Sequence, residues 1–264
     1  MFPFLFRLGD FGLHSYIFFL GTAFVVALFV TAPKFKNSPI NQEKFLAHGF
    51  VSFFVSLVGA RALFVLVKWE LFEKGSYSVF RPWEGGIVFL GGLIAGFLYW
   101  GILFYRKKMP LLGSFSNMVE GLCWGHAIGR TGCFLNGCCF GTHCPFPLLS
   151  VTYTSPYSSA PTHSPLYPTQ IFESLWLVIL AIWIRYRQSN SNKYNNLYKA
   201  SPLVIYLVFY GLGRFLLEFL RGDFLRGFWG PLSTSQWLSL FLIFVGVYIF
   251  KIENSQNKNQ SFLL

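Results

Sequence analysis

The sequence predicts an all-α, polytopic integral membrane bundle of about seven transmembrane helices, with the N-terminus outside and the C-terminus cytoplasmic. Three observations carry that prediction. The chain of 264 residues is 54% hydrophobic and only 12% charged, about half the charge fraction of an ordinary soluble domain. Its apolar residues fall in runs long enough to cross a bilayer. Its lysines and arginines fall in short clusters between those runs. A net charge of +11 in a soluble chain would suggest nucleic acid. Distributed between spans it reads as topology signals and headgroup contacts with the lipid bilayer, and no nucleic-acid partner is expected.

The first span is read over Phe11 to Thr31. Met1 to Leu8 lacks a basic leader and no small-residue cleavage site follows the run, so this segment is expected to stay as a helix. Phe45 to Val67 is the second span and Gly85 to Tyr105 the third, the latter framed by Gly85-Gly86 and Gly91-Gly92. The fourth, Asn117 to Leu135, is interrupted by Glu120, His126 and Arg130. Its glycines lower helix propensity yet let neighbouring helices approach closely, which places it at the centre of the bundle. Gln170 to Tyr186, Leu203 to Leu220 and Gln236 to Phe250 complete the set.

Orientation follows from the basic residues. Lys34, Lys36 and Lys44, then Arg106, Lys107 and Lys108, then Arg185, Arg187, Lys193 and Lys199, and finally Lys251 and Lys258 fall on one side, which should be cytoplasmic. The longest connection, residues 142–169, has no lysine or arginine and reads as an ordered or semi-ordered external loop. No internal repeat is visible, which disfavours an inverted-repeat transporter. Residues 1–252 read as one transmembrane domain and 253–264 as a polar tail, with disorder expected over Glu253 to Gln260.

The ionisable residues inside spans point to function. A guanidinium near mid-bilayer costs about 2.5–3.5 kcal/mol on insertion scales, so it persists where it meets water, a counter-charge or an anionic ligand. Arg61 is equally compatible with snorkelling to an interface; Arg130 and Arg214 lie deeper or beside other charges. Arg214, Glu218 and Arg221 are spaced four and three apart, which puts them on one helix face. Two arginines against one glutamate leave a positive charge over, and a lipid phosphate is the anion at hand. The run Gly137 to Gly141 is read either as close packing or as a loop with backbone N–H groups open to a ligand.

Five cysteines, Cys123, Cys133, Cys138, Cys139 and Cys144, crowd one region. Cys138, Cys139, His143 and Cys144 match no standard zinc spacing, so neither a metal nor any other cofactor is expected, and an odd count yields no disulfide framework.

The chain resembles the prolipoprotein diacylglyceryl transferases, integral enzymes of the bacterial inner membrane, over nearly its whole length. The family signature, approximately Gly-Arg-x-Gly-Asn-Phe-x-Asn-x-Glu, is similar to Gly129-Arg130-Thr131-Gly132-Cys133-Phe134-Leu135-Asn136-Gly137-Cys138, with Cys133 and Cys138 in place of the Asn and Glu. His14-Ser15-Tyr16, Gly59-Ala60-Arg61 and Trp83-Glu84-Gly85-Gly86 resemble further landmarks. Tyr167-Pro168-Thr169-Gln170-Ile171-Phe172-Glu173 is similar to His-Pro-Ser-Gln-Leu-Tyr-Glu, and Tyr210 through Arg214, Glu218 and Arg221 resembles the family's Tyr-Gly-x-x-Arg, Glu and Arg run. Leu90 stands where the family often has a histidine.

The resemblance implies transfer of the diacylglyceryl group of phosphatidylglycerol to the lipobox cysteine of a preprolipoprotein signal peptide, leaving a thioether and glycerol phosphate. Arg130 and Arg214 are then the catalytic residues. Tyr16, Arg61, Glu84, Asn136, Gly141, Glu218 and Arg221 would shape the substrate site with Arg130. The base for the acceptor thiol stays open among Tyr16, Glu84, His14 and His126, or is replaced by the field of Arg130 and Arg214, the reading favoured here. A second functional class, binding or moving an anionic lipid without chemistry, fits a family member that lacks the histidine.

Overall fold

The computed structural model describes residues 2–8, 11–73, 86, 88–190, 200–223 and 227–261. In chain order it contains the hairpin β1 (Phe4–Leu8) and β2 (Phe11–His14), then α1 (Ser15–Thr31), α2 (Gln42–Val67), α3 (Trp69–Glu73), α4 (Phe89–Arg106) and α5 (Leu111–Asn136). Next come β3 (Val151–Thr152), β4 (Pro165–Leu166), α6 (Thr169–Ser189), α7 (Pro202–Ile205), a π-helical turn at Tyr206–Tyr210 and α8 (Gly211–Leu217). A two-stranded ribbon of β5 (Phe228–Trp229) and β6 (Leu232–Ser233) leads into α9 (Thr234–Ser261).

Among the described residues six helical segments are long and apolar enough to cross a membrane. They correspond to every expected span except the fourth. That one forms α5, an unbroken helix of 26 residues whose polar groups keep it below the apolarity of the rest. The first span starts later than expected. Phe11 to His14 pair with Phe4 to Leu8 as an antiparallel strand, and the helix begins at Ser15, whose N–H donates to the Pro3 carbonyl at 2.9 Å. Strand pairing satisfies the backbone there, which an apolar run alone does not reveal. At the other end α9 continues through the polar stretch to Ser261, where a disordered tail was expected.

The described chain forms two compact units, residues 32–114 and residues 1–31 with 115–264. In the first, α2 and α4 pack backbone to backbone. A Cβ on Gly59 would lie 2.7 Å from the Gly91 carbonyl oxygen, and one on Gly91 would lie 2.4 Å from that of Gly59, so no larger residue fits this crossing. Phe35, Phe45, Trp100 and Phe104 stack into its aromatic core.

In the second unit α1 lies against the glycine stripe of α5. Cβ atoms on Gly121 and Gly125 would meet the carbonyl oxygens of Ala27 and Ala23 at 2.4 and 2.7 Å, and one on Gly132 would meet Phe19. On another side α5 meets α6 and the α7–α8 segment through Val119, Cys123, Leu180, Ala181, Ile184 and Ile205. The loop between α5 and α6 has its own small core of Tyr153, Ala160 and Leu166. Its order is therefore built from contacts.

Candidate active site

The site is assembled where α5 ends, α6 begins and α8 ends, all within the second unit. Helix α5 closes with a Schellman motif: Gly137 takes a φ of +78°, its N–H bonds the Phe134 carbonyl at 3.2 Å, and the Cys138 N–H bonds the Cys133 carbonyl at 3.2 Å. Glycine is required there, because a Cβ would lie 1.9 Å from Ser158 Oγ. The chain is then pinned from two sides. Thr169 Oγ1 donates to the Cys139 carbonyl at 2.9 Å and Gln170 Nε2 to the Cys138 carbonyl at 2.7 Å. The Gly141 N–H bonds the Tyr167 carbonyl at 3.0 Å, and the Thr142 N–H bonds that of Leu220 at 2.8 Å. Gly141 thus serves close approach. Its N–H, like those of Gly137 and Cys138, is already used, so of the two readings of this run the close-packed one fits these positions and the loop of open donors does not.

Glu173, one turn into α6 and buried, is the hub. Arg130 Nη2 pairs with its Oε1 at 2.9 Å, Tyr210 Oη donates to it at 3.1 Å, and His126 Nε2 lies 3.7 Å away. Tyr210 reaches this position from the π-helical turn. That turn frees the Phe209 carbonyl, which accepts from Trp176 Nε1 at 3.1 Å, and such bulges recur at functional sites. Arg214 pairs with Glu218 at 2.7 Å and donates to Ser235 Oγ at 3.1 Å; Glu218 in turn accepts from Ser233 Oγ at 2.7 Å.

Arg221 departs from expectation. The helix tightens to a 3-10 turn at Glu218–Leu220 and Arg221 is extended, so it does not share a helix face with Arg214. It bridges to Gly141 across the strand-like contact and binds Asp223 in a bidentate pair, Nε to Oδ1 at 2.8 Å and Nη2 to Oδ2. With Glu173, Glu218 and Asp223 facing Arg130, Arg214 and Arg221, the surplus positive charge read from the sequence is balanced.

Donor capacity, however, is not. Arg130 Nε and Arg214 Nη1 are both buried without a hydrogen-bond partner. A buried guanidinium N–H left without an acceptor is costly, and both arginines lie within electrostatic range of Glu173. Two such donors suit an acceptor-rich anion.

The remaining expected residues sort clearly. Tyr16 opens α1 and lies within electrostatic range of Arg130 and the cysteines. Asn136 closes α5 and hydrogen-bonds the Cys138 thiol. Arg61 belongs to the other unit, buried beside the Phe64 and Phe72 rings with Nη1 donating to the Gly86 carbonyl at 2.9 Å. His14 sits in β2 with its ring 4.2 Å from that of Phe4. Glu84 lies outside the described residues.

A family model described as prolipoprotein diacylglyceryl transferase matches residues 3–252. The chain belongs to that family. A phosphatidylglycerol–prolipoprotein diacylglyceryl transferase 2 of Clostridium perfringens is 30% identical to it over 250 residues, covering 94% of each chain. The similarly named protein of Thermotoga petrophila is 31% identical over 98% of this chain and 87% of its own. The transferase of Clostridium tetani is 28% identical over 251 residues.

In this family member, sequence reasoning overlooked three site residues. Glu173 was visible as the end of the Tyr167 to Glu173 motif and as a carboxylate in an apolar span, a signal as strong as that of Arg130. Tyr210 depends on a π-helical turn that no local pattern announces. Asp223 lies beyond the end of the sixth apolar run, at Leu220. The cysteines also regroup: the sulfurs of Cys133, Cys138 and Cys139 lie within 4.8 Å of one another. The buried Cys144 is not among them; it donates to the Phe146 carbonyl. Hydrogen bonds from Cys133 and Cys138, then the Arg221 and Arg130 guanidiniums, pull the Cys139 thiol below its usual range against the opposing effect of burial.

Proposed function

We propose that this chain transfers the diacylglyceryl group of phosphatidylglycerol to the lipobox cysteine thiol of preprolipoproteins, in the bacterial inner membrane, as the first step of lipoprotein maturation. The observation that carries the site assignment is the pair of partnerless buried donors, Arg130 Nε and Arg214 Nη1. In this reading they receive the lipid phosphate. The acceptor sulfur attacks the sp3 glycerol carbon, the carbon–oxygen bond to phosphate breaks, and negative charge grows on the departing glycerol phosphate. Donors fixed in advance around that charge lower the barrier more than they strengthen ground-state binding.

Glu173 and Glu218 hold the two guanidiniums in place, and Tyr16, Asn136, Gly141 and Arg221 complete the wall. Arg61 and Glu84 are assigned to the substrate path on family resemblance alone. The basic clusters at residues 34–44, 106–108, 185–199 and 251–258 favour a cytoplasmic C-terminus and an external loop at 142–169.

The test is mass spectrometry of a lipobox peptide incubated with phosphatidylglycerol and purified protein. A diacylglyceryl thioether on the peptide cysteine is expected. Unmodified peptide in the presence of protein-bound phosphatidylglycerol would instead establish the binding-only class.

A further inference from the structure

The three sulfurs of Cys133, Cys138 and Cys139 are grouped for a reason that the transferase chemistry so far described does not use. The Schellman turn at Gly137 folds Cys138 back onto Cys133, and Thr169 and Gln170 hold the carbonyls of Cys139 and Cys138, so the cluster is preorganised by backbone. With all three sulfurs within 4.8 Å of one another, small side-chain rotations reach the separation of about 3.8 Å that zinc–sulfur bonds of roughly 2.3 Å impose in a tetrahedron.

We propose that Cys133, Cys138 and Cys139 bind one zinc ion whose fourth position takes the acceptor cysteine of the substrate, holding it as the thiolate. Three protein ligands plus one open position is the arrangement of catalytic rather than structural zinc. Three thiolates and the dication carry one negative charge, and the Arg221 and Arg130 guanidiniums lie within electrostatic range of Cys139.

The inference rests on the transferase reading above and answers its missing element. By the resemblance, Leu90 stands where the family often has a histidine, and a metal-bound thiol is deprotonated without a dedicated base. The step balances: the acceptor S–H loses its proton on binding zinc, the sulfur lone pair forms the S–C bond, and the C–O electron pair leaves with glycerol phosphate, which carries the proton away. Thioether sulfur is a weaker ligand than thiolate, so product release follows from the reaction itself.

The experiment uses the full chain in detergent. Metal analysis should find one zinc per chain in the wild type and none in Cys133→Ser or Cys138→Ser. Cobalt substitution should give the intense visible bands of tetrahedral cobalt thiolate, shifting on addition of a lipobox peptide but not of its Cys→Ser counterpart. Chelation should reduce thioether formation to background and zinc should restore it. Equal metal content in wild type and both variants overturns the site, as does copper in place of zinc. Undiminished transfer by metal-stripped protein overturns the metal's role and leaves the transferase reading standing. A chain that binds zinc through the cysteines and shows the peptide-dependent cobalt shift yet forms no thioether overturns the transferase reading instead.

Discussion

Replacing Arg130 with alanine should lower the rate of diacylglyceryl transfer by a factor of about 100–1,000, the effect of removing one preorganised donor from a developing oxyanion. The size follows from where the guanidinium stands. Nη2 is occupied by Glu173 at 2.9 Å, while Nε is buried without a partner. Arg130→Lys separates the two roles. A lysine ammonium restores a positive charge beside Glu173 but cannot occupy Glu173 and supply the second, fixed donor together. The lysine variant should therefore regain thermal stability relative to alanine while remaining slow. Initial rates on a lipobox peptide, measured alongside thermal unfolding in detergent, check both statements.

Glu173→Gln should destabilise the protein by about 3–5 kcal/mol, the range for removing one partner of a buried ion pair. Glutamine keeps the shape and an acceptor for Tyr210, so packing is preserved. What is lost is the charge that neutralises Arg130, in a pocket where the Glu173 side chain is 4% exposed. His126, 3.7 Å from the same oxygen, does not compensate because it carries no negative charge. A large drop in the unfolding midpoint is expected, together with loss of transfer. An unchanged midpoint would mean that Glu173 does not neutralise Arg130 in the folded protein.

Most spans were legible because apolar length is a local property. Even α5, diluted by Glu120, His126 and Arg130, was readable as a helix, and its glycines as a packing stripe. The errors arose where partners come from elsewhere in the chain. Phe11 to His14 look like the start of a span until Phe4 to Leu8 pair with them. Arg221 continues the helical spacing of Arg214 and Glu218, but the tightened turn at Glu218–Leu220 throws it onto Asp223. Glu173 and Tyr210 meet only because α6 and the π-helical turn converge on α5. The cysteine grouping held a readable clue in Asn136-Gly137, a helix-stop signal that brings the residue after glycine back against the last helical turn.

The central claim is that Arg130 and Arg214 form the phosphate site of an anionic lipid. Native mass spectrometry of the wild type and of Arg130→Ala, Arg214→Ala and the double variant, each reconstituted with phosphatidylglycerol and then with diacylglycerol, tests it most directly. The account predicts strong retention of phosphatidylglycerol by the wild type, weaker retention by each single variant and loss in the double variant, with diacylglycerol retention equal throughout. Undiminished phosphatidylglycerol retention by a folded double variant would contradict it.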